Sequence, residues 1–505
     1  DFSVSSNLGD FLPQKLRLNA PMSYSFVDSR STPEYDPVYE DLTLDDRISA
    51  AETPEAAAAI KEQAQSLTRI QSLSLQGVRI ERKPDSKEDF FDIENFSASM
   101  SSTRTSHSDF ETAFSERSSA NGLLSYAYSG NALSASLQTS VNRALNQQRF
   151  RQLFDPEVQL LDTPLLTQQN YRSNWQGSIT ANPLKGLSVA VDATQNNIIL
   201  ADSQNPMAQQ SIWDSFLSWG QPNTYNQSVR ASYTLPFDLL KATDFLSAQV
   251  DYTGTFNWQR GSDALAQLAG EPINTLQTAS TINASGSLDL NAALQKLGLR
   301  SQQISASIRS NWSQNQGSVL PGYVRSINDR SLFALDRQLS VGRLSQDLRF
   351  EAAQRGYLTQ FDQFNTPFIS DANQSLNTSA MLGIGDKVVI SLDYEQRRSD
   401  RFQEQFRVSA DGQSLRYESL LANEIGSYST TATWLASAFG DASSSADSRA
   451  FEQFKEQRLQ VAKRLAESNG FDSSAVDANG FPEAYGPTHP EVLLTSLVSA
   501  YSGRS

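Results

Sequence analysis

The 505-residue chain has no cysteine and only two histidines, His107 and His489. Without cysteine a disulfide-stapled module is impossible. Two solitary histidines leave little material for a His-based zinc site, a Ser-His-Asp triad or a haem ligand pair. No apolar run approaches the ~18–20 residues of a membrane helix, which excludes a helical membrane protein. Basic charge is scarce too: 41 Lys and Arg stand against 56 Asp and Glu, for a net charge of -15. No basic stripe answers a phosphate backbone, so a nucleic-acid partner is not expected. The apolar share is 38% and the mean hydropathy is -0.44, against roughly 45–50% apolar in ordinary globular domains. A chain this long has room for several soluble cores. Its apolar residues, however, lie in short alternating runs and not in dense clusters.

The clearest run is FLSAQVDYTGTFNWQRG, Phe245 to Gly261. Leu246, Ala248, Val250, Tyr252, Gly254, Phe256 and Trp258 are apolar or small. Ser247, Gln249, Asp251, Thr253, Thr255 and Asn257 between them are polar. Alternation is the period of a β-strand, whose successive side chains leave opposite faces. Similar runs start at Phe96, Leu124, Tyr171, Leu187, Tyr225, Ile282, Ile304, Val388 and Tyr428. They share a pattern and not a sequence, so no fixed-period solenoid is present.

Short connections such as NPLKG (Asn182–Gly186), PFDLLKATD (Pro236–Asp244) and GDK (Gly385–Lys387) carry Gly, Pro and Asp, as tight turns do. Long polar excursions, Thr194–Asn223 and Arg260–Gln277, alternate with them. That is the up-and-down pattern of an outer-membrane β-barrel. Beyond Trp312 two long connections, Ser313–Gly342 and Gln354–Asn373, follow one another. Either SLFALDRQLS hides a strand or one rim carries a long insertion.

The expected fold is all-β: a segment of an antiparallel transmembrane β-barrel, an open curved sheet of about 12–16 long strands. A closed barrel leaves no backbone group unpaired in lipid. A soluble β-sandwich surface adhesin also alternates and stays open as the alternative from another class; so does another large transporter barrel. In the barrel reading Leu246, Val250, Tyr252 and Phe256 face lipid, and Ser247, Gln249, Asp251 and Asn257 face the lumen. Trp258, with Trp175 and Trp312, belongs to an interfacial girdle that keeps the indole N–H wet.

Residues 53–70 (TPEAAAAIKEQAQSLTRI) and 447–471 (DSRAFEQFKEQRLQVAKRLAESNGF) are expected as helices on loop insertions. In the second, Phe451, Phe454, Leu459, Val461 and Leu465 form one stripe. That stripe fits partner binding or packing onto its own barrel. The acidic run DSKEDFFDIE (Asp85–Glu94) offers clustered carboxylates for calcium, though without EF-hand spacing, and otherwise reads as a solvated rim loop, as do Asp45 and Asp46. GSVLPGY (Gly317–Tyr323) lacks the Lys and helix context of a phosphate loop. No enzyme, metal or cofactor site is expected. Both termini read as cut ends, so the chain is expected to be a piece of a longer protein whose whole length here, 1–505, belongs to one barrel.

Particular residues carry a resemblance as well. NTYNQSVRASYTLPFDLL (Asn223–Leu240), INTLQTASTINASGSLDL (Ile273–Leu290), YDPVYEDLTLDD (Tyr35–Asp46) and DIENFSASMSSTRTSHSDF (Asp92–Phe110) resemble the SprA/Sov family, the outer-membrane translocon of the Bacteroidota type 9 secretion system. GSVLPGY, LRFEAAQRGYLTQFDQFNTPF (Leu348–Phe368), VAKRLAE (Val461–Glu467) and GFPEAYGPTHPEVLLTSLVSAYSG (Gly480–Gly503) do so in the same order. After SGSLDL the chain departs from the family, with NAALQKLGLRSQQ where a Lys-rich segment is expected. The resemblance implies a single-chain barrel of the largest class known, about 36 strands. It implies export of folded cargo proteins, a PorV-type partner at a lateral opening and a plug protein on the periplasmic side. In gliding members the cargo includes surface adhesins. No catalytic residue is transferred by it.

Overall fold

The computed structural model describes residues 1–151, 163–199, 211–237, 243–296, 304–329, 332–333, 336–344, 347–361, 363–384, 388–408, 415–436, 446–472, 474–477, 479–493 and 495–496. The strands are β1 (Phe2–Asn7), β2 (Leu18–Asn19), β3 (Pro21–Ser31), β4 (Ser66–Ile80), β5 (Phe96–Ser108), β6 (Thr112–Ser129), β7 (Leu133–Phe150) and β8 (Leu166–Leu184). They continue as β9 (Leu187–Ile199), β10 (Gln221–Thr234), β11 (Leu246–Gln259), β12 (Asn274–Asp289), β13 (Ile304–Tyr323), β14 (Phe368–Ile384), β15 (Val388–Val408) and β16 (Leu415–Ala436). Helices α1 (Leu44–Ser49), α2 (Pro54–Ala64), α3 (Asp263–Ala269), α4 (Leu290–Lys296), α5 (Leu348–Gln354) and α6 (Ala446–Ser468) lie in the connections and after β16.

All 16 strands form one open sheet, mostly of sequential antiparallel neighbours, with β1 and β16 at its two ends and the short β2 paired to β4. Sequential pairing of long strands follows from their alternation and from short connections, which bring chain neighbours together first. At the 185–186 turn between β8 and β9, Gly186 adopts a φ of +83°. A Cβ there would stand 2.5 Å from the Thr234 carbonyl oxygen, so only glycine fits.

Every strand run read from the sequence falls within a strand, except that Tyr225–Leu235 and Ile282–Leu290 each overrun the strand end by one residue. Pattern reading passed over β1, β2, β3, β4, β7 and β14. The segment 53–70 needs correction. Thr53 caps α2 by accepting from the Ala56 N–H, and Pro54 opens the helix, but it ends at Ala64. Ser66–Ile80 instead joins the sheet between β3 and β5. Two flanking strands offer that stretch a full ladder of backbone partners, and this tertiary gain overrides a helix's local preference. Helix α6 covers nearly the whole of its expected segment. The GDK turn lies outside the described residues.

The parity problem resolves as an insertion. β13 continues to Tyr323, and one excursion, 324–367, carries a 3-10 turn (Arg337–Val341) and α5 before β14 begins at Phe368. Leu332 and Phe333 are helical, so the described part of SLFALDRQLS holds no strand. Connections 32–65, 151–165, 200–220, 260–273 and 324–367 thus leave one rim of the sheet, and 81–95, 130–132, 185–186, 235–245 and 290–303 leave the other.

The chain divides into two compact units. The first comprises Asp1–Leu299, Ser307–Ala380 and Leu392–Thr431. Its largest core packs Leu332, Leu339, Leu344, Leu348, Ala352 and Leu358 of the excursion against Tyr225, Phe256, Trp258, Leu276, Leu320 and Phe368 of the sheet. The second comprises Arg300–Ala306, Met381–Ser391 and Ala432–Ser505. There Ala462 and Ala466 of α6 bury Phe481, Tyr485 and Val492, with Leu459 and Leu465 alongside. Of the expected stripe, Leu459 and Leu465 thus pack within their own unit.

Candidate functional site

The strand registers sort the side chains of β1 to β13 into two chemically opposite faces. Across β11 and β12, Leu246 pairs with Leu288, Val250 with Ala284, Tyr252 with Ile282 and Trp258 with Leu276. On the same face β10 and β9 pair Tyr233 with Leu187, Ala231 with Val189 and Val229 with Val191. Further along lie Ile179 opposite Val191, Leu137 opposite Gly177, Tyr126 opposite Leu137, Phe96 opposite Tyr126, Leu75 opposite Met100 and Met22 opposite Leu75. Phe2 and Val4 complete the row in β1. Apolar side chains therefore continue across eleven neighbouring strands, because each strand's alternation stays in phase with the next.

This apolar face is bare over its half nearer the short-turn rim. Ile179 is 52% exposed, Leu124 49% and Leu137 46%, far above what a packed core leaves. The 81–95 connection adds an aromatic cluster there. Phe90 packs against Tyr126 and Tyr128, Phe96 against Tyr126, and Phe91 is fully in the open. Toward the long-loop rim the same face turns polar and carries ion pairs, Arg69 with Asp28 at 3.0 Å and Arg104 with Glu116 at 2.7 Å. Ion pairs at that height close the apolar band on one side.

The opposite face is almost wholly hydroxyl and amide. β11 presents Ser247, Gln249, Asp251, Thr253, Thr255 and Asn257, and β12 presents Gln277, Thr281, Asn283, Ser285 and Ser287. β5 presents Ser97, Ser99, Ser101, Thr103 and Thr105 opposite Ser125, Leu123, Asn121, Ser119 and Arg117 of β6. Leu123, Ile70 and Val27 are apolar exceptions. Neighbouring strands satisfy one another: Ser247 and Ser287 hydroxyls meet at 2.7 Å, and Arg230 pairs with Asp192 at 3.2 Å. The face is polar without a dense field of one sign.

The expected division of β11 into two faces holds, with Val250 bare. Two positions differ. Phe256 is fully buried and Trp258 is 2% exposed, both beneath the 324–367 excursion. The Trp258 indole N–H donates to the Arg325 carbonyl oxygen at 3.2 Å, so it is paired within the protein and not wet. The excursion descends far enough for a Cβ on Gly254 to collide with the Val341 carbonyl. The strand pattern is local and carries no record of a loop that follows two strands later. Trp175 is partly buried beside Tyr225, their rings 6.2 Å apart.

The titratable residues read from the sequence are engaged in fastening turns. His107 lies 2.9 Å from the Thr68 hydroxyl through Nδ1 and 2.9 Å from Asp109 through Nε2. Asp109 also accepts the Glu111 and Thr112 N–H groups, closing the β5–β6 turn. His489 lies against Tyr485 in the second unit. In the acidic run, Asp92 accepts from Arg82 at 2.5 Å and from the Asp89 N–H. Asp45 and Asp46 occupy the first turn of α1, where Asp46 accepts from the capping Thr43 hydroxyl. Among the described residues no cluster of His, Asp and Glu is placed to hold a metal.

Asp36 in the 32–65 connection is a second fastening. Burial pushes its carboxyl up, but hydrogen bonds from Arg47 and from the Tyr39 and Val38 N–H groups outweigh it and hold the group below its ordinary value. One arrangement escaped sequence reading altogether. Arg143 interrupts the apolar phase Leu137, Thr139, Val141 of β7, and the interruption itself was the available signal. The chain matches no protein-family model and no curated protein.

Proposed function

We propose that this chain is a stretch of the wall of a large outer-membrane β-barrel, part of a channel that conducts folded cargo proteins. One observation carries the reading: a single sheet whose one face is a bare apolar band across neighbouring strands and whose other face is hydroxyl and amide. A sheet with water on both sides has no use for that band, whereas lipid on one side and a water-filled lumen on the other require it. A β-sandwich adhesin would cover the band with a second sheet, and every strand among the described residues belongs to the one sheet. Strands of 13 to 22 residues from β5 to β16 exceed the ~9–11 needed to span a bilayer.

The ends of the sheet support a larger barrel. Unpaired backbone groups on β1 and β16 would each cost several kcal/mol in hydrocarbon. Further strands pairing with them remove that cost. The cargo class rests on the resemblance to the SprA/Sov translocons and on the polar face, which offers a passing polypeptide neither apolar patches nor a strong single-sign field. The PorV-type partner, the plug protein and an outer-membrane location belong to the same proposal. Fractionation and secretion together test it. The full-length protein is expected in the detergent-extracted outer-membrane fraction, and cells lacking it should accumulate folded cargo in the periplasm. Recovery in buffer without detergent, or undiminished secretion in its absence, overturns the reading.

A further inference from the structure

The described part of the connection between β9 and β10 does not project from the rim. Its segment Ser211–Gly220 (SIWDSFLSWG) lies back on the apolar face of β6, β7 and β8. Ile212 is buried with Ala120 and Tyr171, and Phe216 packs beside them. Gly122 makes the seat: a Cβ there would stand 2.9 Å from the Phe216 ring. Arg143 makes the clasp. Its guanidinium, almost fully buried, donates to the carbonyl oxygens of Ser215 at 3.0 Å, Phe216 at 3.3 Å and Ser218 at 2.5 Å. Nη1 donates to the carbonyls of Asn142 and Arg172, and Nη2 shares its two hydrogens among Phe216, Ser218 and the Ser173 hydroxyl. The fork geometry of arginine suits this task, since several fixed donors converge on one turn.

A segment held so firmly would be expected to turn its apolar side inward. It turns only half of it. Trp213 is 48% exposed, Leu217 89% and Trp219 36%, while Ile212 and Ser215 are buried beneath. The exposed three lie on the side away from the sheet. Their height is defined by the register: Phe216 sits on Gly122, which pairs with Val141, and Val141 pairs with Ser173. From Leu133, where β7 starts, to Val141 is about 27 Å along the strand. At a barrel strand's tilt this is a height of about 21 Å, close to the ~25 Å apolar band of outer-membrane barrels. The segment therefore rests at the band's upper boundary and continues it outward. Asp214, exposed between Trp213 and Ser215, limits how deep the segment can lie.

We propose that Ser211–Gly220 is a clasped membrane anchor whose occupant is the lipid headgroup–acyl boundary on the long-loop side. Trp213, Leu217 and Trp219 enter that boundary, and Arg143 fixes the depth from inside. Indole rings prefer this zone because the ring stays in the apolar phase while its N–H stays wet. The proposal rests on the reading that the apolar face meets lipid, and its test separates the two.

The chain holds no cysteine, so with any cysteine elsewhere in the full-length protein replaced by serine, single-cysteine labelling in lipid nanodiscs is possible. A fluorophore is placed at Leu217, at Leu137 in the band, or at Gln138 on the polar face, and quenched by shallow or deep doxyl lipids or by iodide. Leu137 should respond to the deep lipid quencher, Gln138 to iodide, and Leu217 at least twofold more to the shallow lipid quencher than to the deep one. Gly122→Val, which drives the Phe216 ring from its seat while keeping the Arg143 side chain, should abolish that preference while leaving Leu137 unchanged. Lipid quenching at Leu137 with iodide quenching alone at Leu217 overturns the anchor and leaves the membrane face standing. Protection of Leu217 from every quencher overturns it in favour of a protein cover. Iodide quenching at Leu137 overturns both.

Discussion

Replacing Ile179 by arginine asks directly which phase the apolar face meets. Ile179 lies opposite Val191 and Ala135 and five residues from Leu184, where β8 ends. That is about 17 Å along the strand, or about 13 Å in height at a barrel tilt, near the middle of a ~25 Å band. A lipid-facing arginine at mid-depth costs about 2–4 kcal/mol, falling to about 0–1 near the interfaces. A water-facing one changes stability by no more than about 0.5 kcal/mol. Ser178→Arg, one residue away on the polar face, is the internal control because only the facing phase differs. The assay is a denaturant titration of the full-length protein refolded in phospholipid vesicles, read by protection from protease. Ile179→Arg should lower the midpoint by the equivalent of about 2 kcal/mol or more, and Ser178→Arg should leave it nearly in place. Equal shifts for the two variants, or no shift at Ile179, would refute the assignment of lipid to this face.

Phe256→Ala empties a fully buried ring site beneath the 324–367 excursion, where Phe333 stacks edge-on at 5.4 Å; a loss of about 3–5 kcal/mol should loosen the excursion before the sheet, seen as faster hydrogen exchange at Tyr357 and Leu358, and exchange unchanged there would count against the packing. Gly254→Val drives a side chain into the Val341 carbonyl, so the Gly342 and Arg343 amides, which bond to Leu339 and Gln338, should exchange faster while those of β12 do not. Acid should open the 32–47 stretch. Asp36 has a folded pKa below its ordinary value, so its contribution is complete above the unfolded pKa of about 3.9 and disappears as pH falls through the folded value. Charge-assisted hydrogen bonds of about 1.5–3 kcal/mol are at stake, read as rising exchange of the Val38 and Tyr39 amides below about pH 4, a dependence that Asp36→Asn should lack.

Much of the fold was legible in the sequence because alternation is a local property. Whether Val250 and Gln249 leave opposite sides depends only on a backbone that rises residue by residue, so β11 could be divided into its two faces without knowing its neighbours. The same holds for the short turns at 185–186 and 235–245, where Gly, Pro and Asp restrict the backbone themselves. Strands such as β4 and β7 were harder. Their apolar phase is interrupted by Arg69 and Arg143, and pattern alone cannot say that Asp28 or a returning loop will receive the charge.

What only tertiary structure decided concerns partners distant along the chain. Trp258 carries every local mark of an exposed girdle residue, yet Arg325 takes its N–H and the ring is buried in one cluster with Ile327, Leu332, Leu339 and Leu358. The helical promise of 53–70 lapses at Ala64 because β3 and β5 offer the next residues a ladder. Arg143 finds its acceptors some seventy residues ahead, at Ser215, Phe216 and Ser218. Alternation along a strand determines which side each residue faces. What then lies against that side depends on which distant loop folds back, and that is settled by burial and hydrogen-bond satisfaction summed over the whole molecule.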